Sequence, residues 1–397
     1  MMKVAFVTTG ASDDVQSWSG TPYFMSAAFI ERGAELVRVQ NLRGARSVLL
    51  RLRDIIRRKI LRENYSTFRH KRRLVHYARQ IAAQVEQIRP DIILSTSTLP
   101  IAYLETDIPI VFWTDATLAG LVDFYPEYVG LSRAALDEGN EAESAALRRC
   151  LVALYSSDWA ARTAIENYDV DPAKVRVVNF GANIPAGSSH EEIASAVAKR
   201  PLNRCELLFA GKEWARKGGD IAIAVAVELN RRGLPTRLTL AGSAPPEGRP
   251  MPSCVDSFGF VDKNTPEGME KLRRIFGAAS FLMLPSRAEC CAMVCAEANS
   301  EGVPVLASDV GGTSSAITHG VNGFLFPVGK LADEVNHYCD AVMTTLATPG
   351  EYRRLAMSSL QEYEKRLNWR VAAAKAAGII ENALTAAQTP HGTTGSL

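Results

Sequence analysis

Histidine and cysteine are scarce and scattered in this 397-residue chain, six of the first and seven of the second. No Cys-x-x-Cys pair occurs, and no histidine has a triad or metal-site context, so metal ligands are not expected. Cys290, Cys291 and Cys295 cluster, but without a neighbouring histidine they read as thiols kept in a reducing compartment. Long apolar runs are missing too; none approaches the ~20 residues of a membrane-spanning helix. Met1-Met-Lys-Val-Ala-Phe-Val-Thr8 leads straight into a strand pattern without a basic-then-apolar leader, so the expected location is cytoplasmic. Strong overall charge is also absent, the net being +2.

What is present is more telling. At 47% apolar and 22% charged residues the chain has a globular composition, and its length calls for two domains. The charge is unevenly spread. Twelve Lys/Arg stand against Asp54 and Glu63 between Arg43 and Arg73, a local +10 that leaves −8 elsewhere. Within that stretch Leu49, Leu52, Ile56 and Ile60 recur at three- and four-residue spacing, with Arg51, Arg53, Arg57, Arg58 and Arg62 between them. The pattern predicts a basic amphipathic helix over 47–62. Either its apolar stripe lies on the domain core, or it docks on an anionic membrane or a phosphorylated acceptor. Nucleic acid is not expected, because no aromatic residues interleave with the arginines for base stacking.

Along the chain, apolar strand patterns alternate with helical ones, as in doubly wound parallel sheets. Strands are predicted at Lys3–Thr8, Ala34–Val39, Pro90–Ser95, Pro109–Trp113, Cys150–Tyr155 and Lys174–Val178 in the first half. In the second they fall at Glu206–Ala210, Thr236–Leu240, Val255–Phe260, Phe281–Leu284 and Pro304–Ala307. Helices are expected over Gly20–Arg32, Lys71–Ile88 and Asp220–Arg232, with a last one near Trp369–Ala387. Gly181–His190, rich in Gly, Pro and Ser, reads as the link between the halves. Domains are set at 1–184 and 200–368, with 185–199 as linker and 388–397 as a flexible tail.

Glu289 and Glu297 flank the sequence Cys-Cys-Ala-Met-Val-Cys-Ala. The strand Phe281–Leu284 precedes the pair, and Gly302-Val-Pro and Gly311-Gly312 follow it. The pattern predicts a strand, a loop carrying Glu289, and a helix from about Cys291 with Glu297 two turns in. Free N–H groups of a first helical turn favour phosphate. A second cluster, Phe209-Ala-Gly-Lys-Glu-Trp-Ala-Arg-Lys-Gly-Gly-Asp220, places Gly211, Lys212, Arg216 and Lys217 in one loop after a strand. Fixed cations there suit a diphosphate leaving group whose charge grows as a glycosidic bond breaks.

These motifs, in this order over nearly the whole chain, resemble family 4 of the retaining nucleotide-sugar glycosyltransferases. The resemblance implies a GT-B architecture, two Rossmann-like domains facing a cleft, with the last helix crossing back onto the first. It implies a metal-independent hexosyltransferase that moves sugar from a UDP- or GDP-sugar to a glycan, glycolipid or small-molecule hydroxyl, with no resident cofactor. By the same resemblance Lys212 and Lys217, beside Arg216, hold the diphosphate. Glu297 takes the ribose hydroxyls and Glu289 the donor sugar, with backbone N–H groups of Cys290, Cys291 and Ala292 nearby. Phe260 and Val261 cradle the base, and Gly20 admits backbone close to the phosphates or acceptor. Lys212 stands where the family usually has arginine. Asp115 stands near the point where many members carry a histidine, and is expected to contact donor sugar or acceptor. A nucleotide-sugar epimerase of the same architecture and a catalytically silent peripheral membrane protein are the alternatives.

Overall fold

The computed structural model describes residues 2–44, 52–53, 55–65, 67–185, 187–248 and 251–388. The predicted tail from Thr389 onward, and Ser47–Arg51 and Asp54 of the predicted basic helix, lie outside them.

The chain divides into two compact units, Met1–Ser17 with Pro22–Val178 and Ala372–Leu397, and Trp18–Thr21 with Asn179–Val371. In the first, strands β1 (Lys3–Val7), β2 (Glu35–Val39), β3 (Ile92–Ser95), β4 (Ile110–Thr114), β5 (Val152–Tyr155) and β6 (Val175–Val177) form one sheet. Their order is β2-β1-β3-β4-β5-β6, and every pairing is parallel. Strands β3, β4 and β5 are buried at every position, which is why they read as continuous apolar runs rather than alternating ones. Trp113 is fully buried, and its indole N–H satisfies the Val178 carbonyl at 3.0 Å.

The second unit repeats the design with β7 (Cys205–Ala210), β8 (Thr236–Ala241), β9 (Val255–Gly259), β10 (Phe281–Leu284), β11 (Val305–Ser308) and β12 (Gly323–Phe326). The order is β12-β11-β10-β7-β8-β9, again all parallel. Helix Gly219–Arg231 buries Ile221, Ala222, Val225, Ala226 and Leu229 at helical spacing against this sheet's core.

Segment 185–199 differs from its reading as a linker. It holds a helix, His190–Lys199, closed by a reciprocal Ser189–Glu192 capping box, and Ile193 and Val197 lie in the second core. Two buried side chains at four-residue spacing override the Gly/Pro/Ser signal just before them. The last helix, Trp369–Gln388, begins in the second unit and continues from Ala372 in the first.

The described part of the basic segment is helical at Leu52–Arg53 and from Ile55 to Ile60. Its apolar residues do not enter the core: Leu52, Ile55, Ile56, Ile60 and Leu61 are all exposed, Ile60 at 69%. Two arginines turn the other way instead. Arg53 pairs with Glu138 at 2.5 Å and Arg57 with Glu63 at 2.7 Å, and both guanidinium groups lie over the Tyr65 ring.

Candidate active site

In the second unit, β7 and β10 are adjacent parallel strands, so the segments leaving their C-terminal ends meet. One carries Gly211–Gly218, the other Pro285–Ala292. Gly218 sits at φ +75°, and a Cβ there would collide with the Pro285 carbonyl oxygen, so only glycine allows this approach. The Arg287 N–H closes the junction by donating to the Arg216 carbonyl at 2.7 Å.

This junction brings Lys217 and Glu289 together although 72 positions separate them. Lys217 Nζ lies 2.5 Å from Glu289 Oε1, Arg216 Nη1 lies 3.2 Å from the same oxygen, and Ser286 Oγ donates to it at 2.9 Å. Glu289 is 4% exposed, so this carboxylate is neutralised where water cannot do it. The Lys217 stem runs along Gly211, where a Cβ would meet Lys217 Cγ at 3.2 Å. Arg216 is the most committed of the cations. It also donates to the Ala288 carbonyl at 2.7 Å and forks onto Glu213, holding that carboxyl below its usual range. It braces the loop. Lys212 extends over the Phe260 ring at 5.5 Å, and that ring is exposed.

The helix predicted from about Cys291 begins at Met293 and ends at Asn299, with Glu297 inside it. Ala292, just before it, has φ +47° and ψ +51°, a left-handed conformation that costs a non-glycine residue free energy and is typical of functional loops. Cys290 is buried, Cys291 is half-buried, and burial pushes the Cys295 thiol well up. The Gly312 N–H donates to the Glu289 carbonyl at 2.9 Å, tying the Gly311-Gly312 turn to the same loop. Glu297, 7% exposed, pairs with Lys263 at 2.8 Å. Val261 packs at the edge of the core that contains the helix.

Gly20, at φ +94°, belongs to the second unit with its neighbours Trp18–Thr21. The segment is held by Asn183, which is fully buried. Asn183 Nδ2 lies 3.1 Å from both the Ser19 carbonyl and Thr21 Oγ1, and 3.0 Å from Met293 Sδ. Its Oδ1 accepts from the Trp369 indole at 2.8 Å. Gly20 is thus fastened to the first residue of the Glu297 helix. Asp115 follows β4 in the first unit and is half-buried.

Two residues of this region escaped the sequence reading. Lys263 was hidden because nothing in a loop lysine announces its partner. Asn183 was hidden inside a Gly/Pro-rich stretch. The chain's one Asp-x-Asp sequence, Asp169-Val-Asp171, lies in the first unit, where the Asp171 carboxylate accepts from the Ala173 N–H at 2.8 Å and caps a turn.

Comparison with known proteins places these features in context. Residues 204–345, which carry both clusters, match the family model of "Glycosyl transferases group 1". A D-inositol 3-phosphate glycosyltransferase of Streptomyces griseus is 31% identical over 291 residues, covering 64% of this chain and 60% of that protein. One from Streptomyces scabiei is 36% identical over 176 residues, 41% of this chain and 39% of the relative. The chain thus spans less than two thirds of the length of these relatives. Among solved structures, a sucrose-phosphate synthase from Thermosynechococcus elongatus superposes with a TM-score of 0.66 at 16% identity, covering 97% of this chain and 100% of the other. Anabaena Alr3699/HepE in complex with UDP and glucose gives 0.60 at 15%, covering 96% and 100%. The fold is therefore the doubly Rossmann-like GT-B type.

Proposed function

We propose that this chain is a retaining, metal-independent glycosyltransferase that moves a hexose from a nucleotide diphosphate sugar to an acceptor hydroxyl. The observation that carries the reading is the ion pair of half-buried Lys217 with buried Glu289 at the junction of the loops after β7 and β10. In this reading Lys217, with Lys212, stabilises the diphosphate as it leaves. Glu289 is held with Oε1 on its cations and turns its other oxygen toward the donor sugar. Glu297 binds the ribose, Phe260 and Val261 border the base, and the N–H groups of Cys290, Cys291 and Ala292 face the phosphates. Gly20 and Asp115 serve the phosphates and the sugar or acceptor. Transfer proceeds on the face from which the diphosphate departs, so the anomeric configuration is kept. The relatives' names and the UDP found with the Anabaena protein support this class of chemistry over an epimerase or a silent binding protein.

A peripheral position at the cytoplasmic face of an anionic membrane is part of the proposal. It is supported by the five outward aliphatic residues between Leu52 and Leu61 in a stretch of +10 charge. The direct test is nucleotide release from a panel of UDP-, GDP- and ADP-sugars, with glycans, glycolipids and a phosphorylated cyclitol as acceptors. Anomeric configuration is read by NMR. No turnover of any donor, or inversion at the anomeric carbon, would sink the reading.

A further inference from the structure

We propose that Lys263 is a positioning residue of the nucleotide site. It fixes the Glu297 carboxylate for ribose recognition and offsets its charge so that an anionic ligand can approach. The inference rests on the nucleotide-sugar reading above and adds to it a residue outside both sequence clusters.

Glu297 is almost fully buried on a helix that ends two residues later. A carboxylate so placed needs a partner, because an unpaired buried charge is strongly unfavourable. Lys263 Nζ supplies it at 2.8 Å on Oε1, from a loop 34 positions away. Among the described residues Oε2 accepts no hydrogen bond, which leaves one oxygen to receive ligand hydroxyls while the other is anchored. A carboxylate with one oxygen fixed has lost its rotational freedom before the ligand arrives, and such preorganisation strengthens binding.

The loop that carries Lys263 is itself tied down. The Asn264 N–H donates to Asp262 Oδ1 at 2.9 Å, and the Gly268 N–H to Thr265 Oγ1 at 3.0 Å at the start of helix Pro266–Gly277. At Gly268 a Cβ would collide with the Asp262 carbonyl oxygen, so loop and helix are in direct backbone contact. Lys263 is therefore held by a rigid support, unlike a surface lysine whose ion pair costs entropy to form. The charge argument points the same way. A diphosphate entering beside a bare Glu297 would be repelled, and the Lys263 ammonium cancels that repulsion without itself touching phosphate.

The two lysines then differ in what they respond to. Lys217 acts on the diphosphate, Lys263 on the ribose end through Glu297. The test is calorimetric titration with UDP and GDP, together with ligand-observed NMR with uridine and guanosine, on wild type, Lys217→Met, Lys263→Met and Lys263→Arg. Lys263→Gln serves as second variant, and thermal unfolding checks each fold. Lys263→Met is expected to weaken diphosphate and bare nucleoside alike, by about tenfold, whereas Lys217→Met weakens the diphosphate alone. Lys263→Arg restores most of the loss. In a Glu297→Gln background Lys263→Met adds less than about threefold, because a neutral amide needs no counter-charge. In turnover the loss falls on donor KM with kcat kept. Unchanged nucleotide affinity in Lys263→Met, a loss confined to the diphosphate, or full additivity with Glu297→Gln overturns this inference alone. Wild type that binds none of these ligands overturns it together with the proposed function.

Discussion

Replacing Lys217 by alanine removes one of the two cations on Glu289 and the one with the shorter contact. Two unit charges ~4 Å apart interact by about 4 kcal/mol at the effective dielectric of ~20 that suits such sites. Before reaction Lys217 is already engaged at 2.5 Å by Glu289, so only the charge that grows on the departing diphosphate adds new attraction. That share matches the usual loss for one transition-state charge partner, about 2.7–4 kcal/mol, or two to three orders of magnitude in kcat/KM. Folding should survive, because Arg216 and Ser286 still reach Glu289 Oε1 and Lys217 itself lies at the end of a short helical turn. The assay is single-turnover release of nucleoside diphosphate, which separates chemistry from product release, with thermal unfolding run in parallel. Lys217→Arg should recover part of the rate, since charge returns with altered geometry. Turnover of Lys217→Ala within about threefold of wild type, at unchanged stability, would remove Lys217 from the reaction and with it the charge argument.

The two glutamates should separate kinetically. Glu297→Gln raises donor KM about ten- to hundredfold, the worth of a charged hydrogen bond to hydroxyls, while Glu289→Gln acts on kcat; unchanged nucleoside diphosphate affinity in Glu297→Gln would count against its ribose role. Activity should persist in EDTA, and loss restored by Mg²⁺ or Mn²⁺ would show that the lysines do not carry the leaving-group charge alone. Wild type should pellet with anionic vesicles at low salt, and Ile60→Ser with Leu61→Ser should weaken this more than Arg53→Gln with Arg57→Gln, whose side chains are already paired inward; absence of pelleting would leave a soluble acceptor as the better expectation. Glu143 gives a pH prediction. Burial holds its carboxyl above the usual range against the pull of Arg69 and Thr98, so the folded chain keeps a proton that the unfolded chain releases. Its contribution is present at low pH and is lost as pH rises from about 4.3 toward the raised value; thermal unfolding across that window should show Glu143→Gln losing less stability than wild type.

Much of the fold was legible because buried parallel strands are written as unbroken apolar runs. Phe281–Leu284 was bounded to the residue, and Lys71–Ile88 as a helix likewise. Short strands beside strong turn residues were less visible, as in β12, where glycine opens a four-residue strand. Of the site, both clusters could be read from local order, since each lies on one loop with its flanking strand. Their union could not, because it depends on β7 and β10 being neighbours in space. The direction of the basic segment was equally illegible: helical spacing defines two faces, but which face turns inward was set by Glu138 and Tyr65, remote in sequence or beyond the pattern.

The discontinuous first unit has a consequence for how the chain acquires its structure. Its six strands leave the ribosome first, yet its final element, the helix from Ala372 onward, is made only after the whole of Asn179–Val371. Ala372, Ala373, Ala376, Ala377 and Ile380 form a buried stripe on that helix, so the surface it covers stays bare throughout synthesis of the second unit. The unit begun first is completed last. Closing so long a segment adds only a logarithmic entropy penalty at equilibrium, but it delays the contact in time. Until then the early-made half exposes apolar surface of the kind that chaperones and misassembly compete for, while the later half can already be compact.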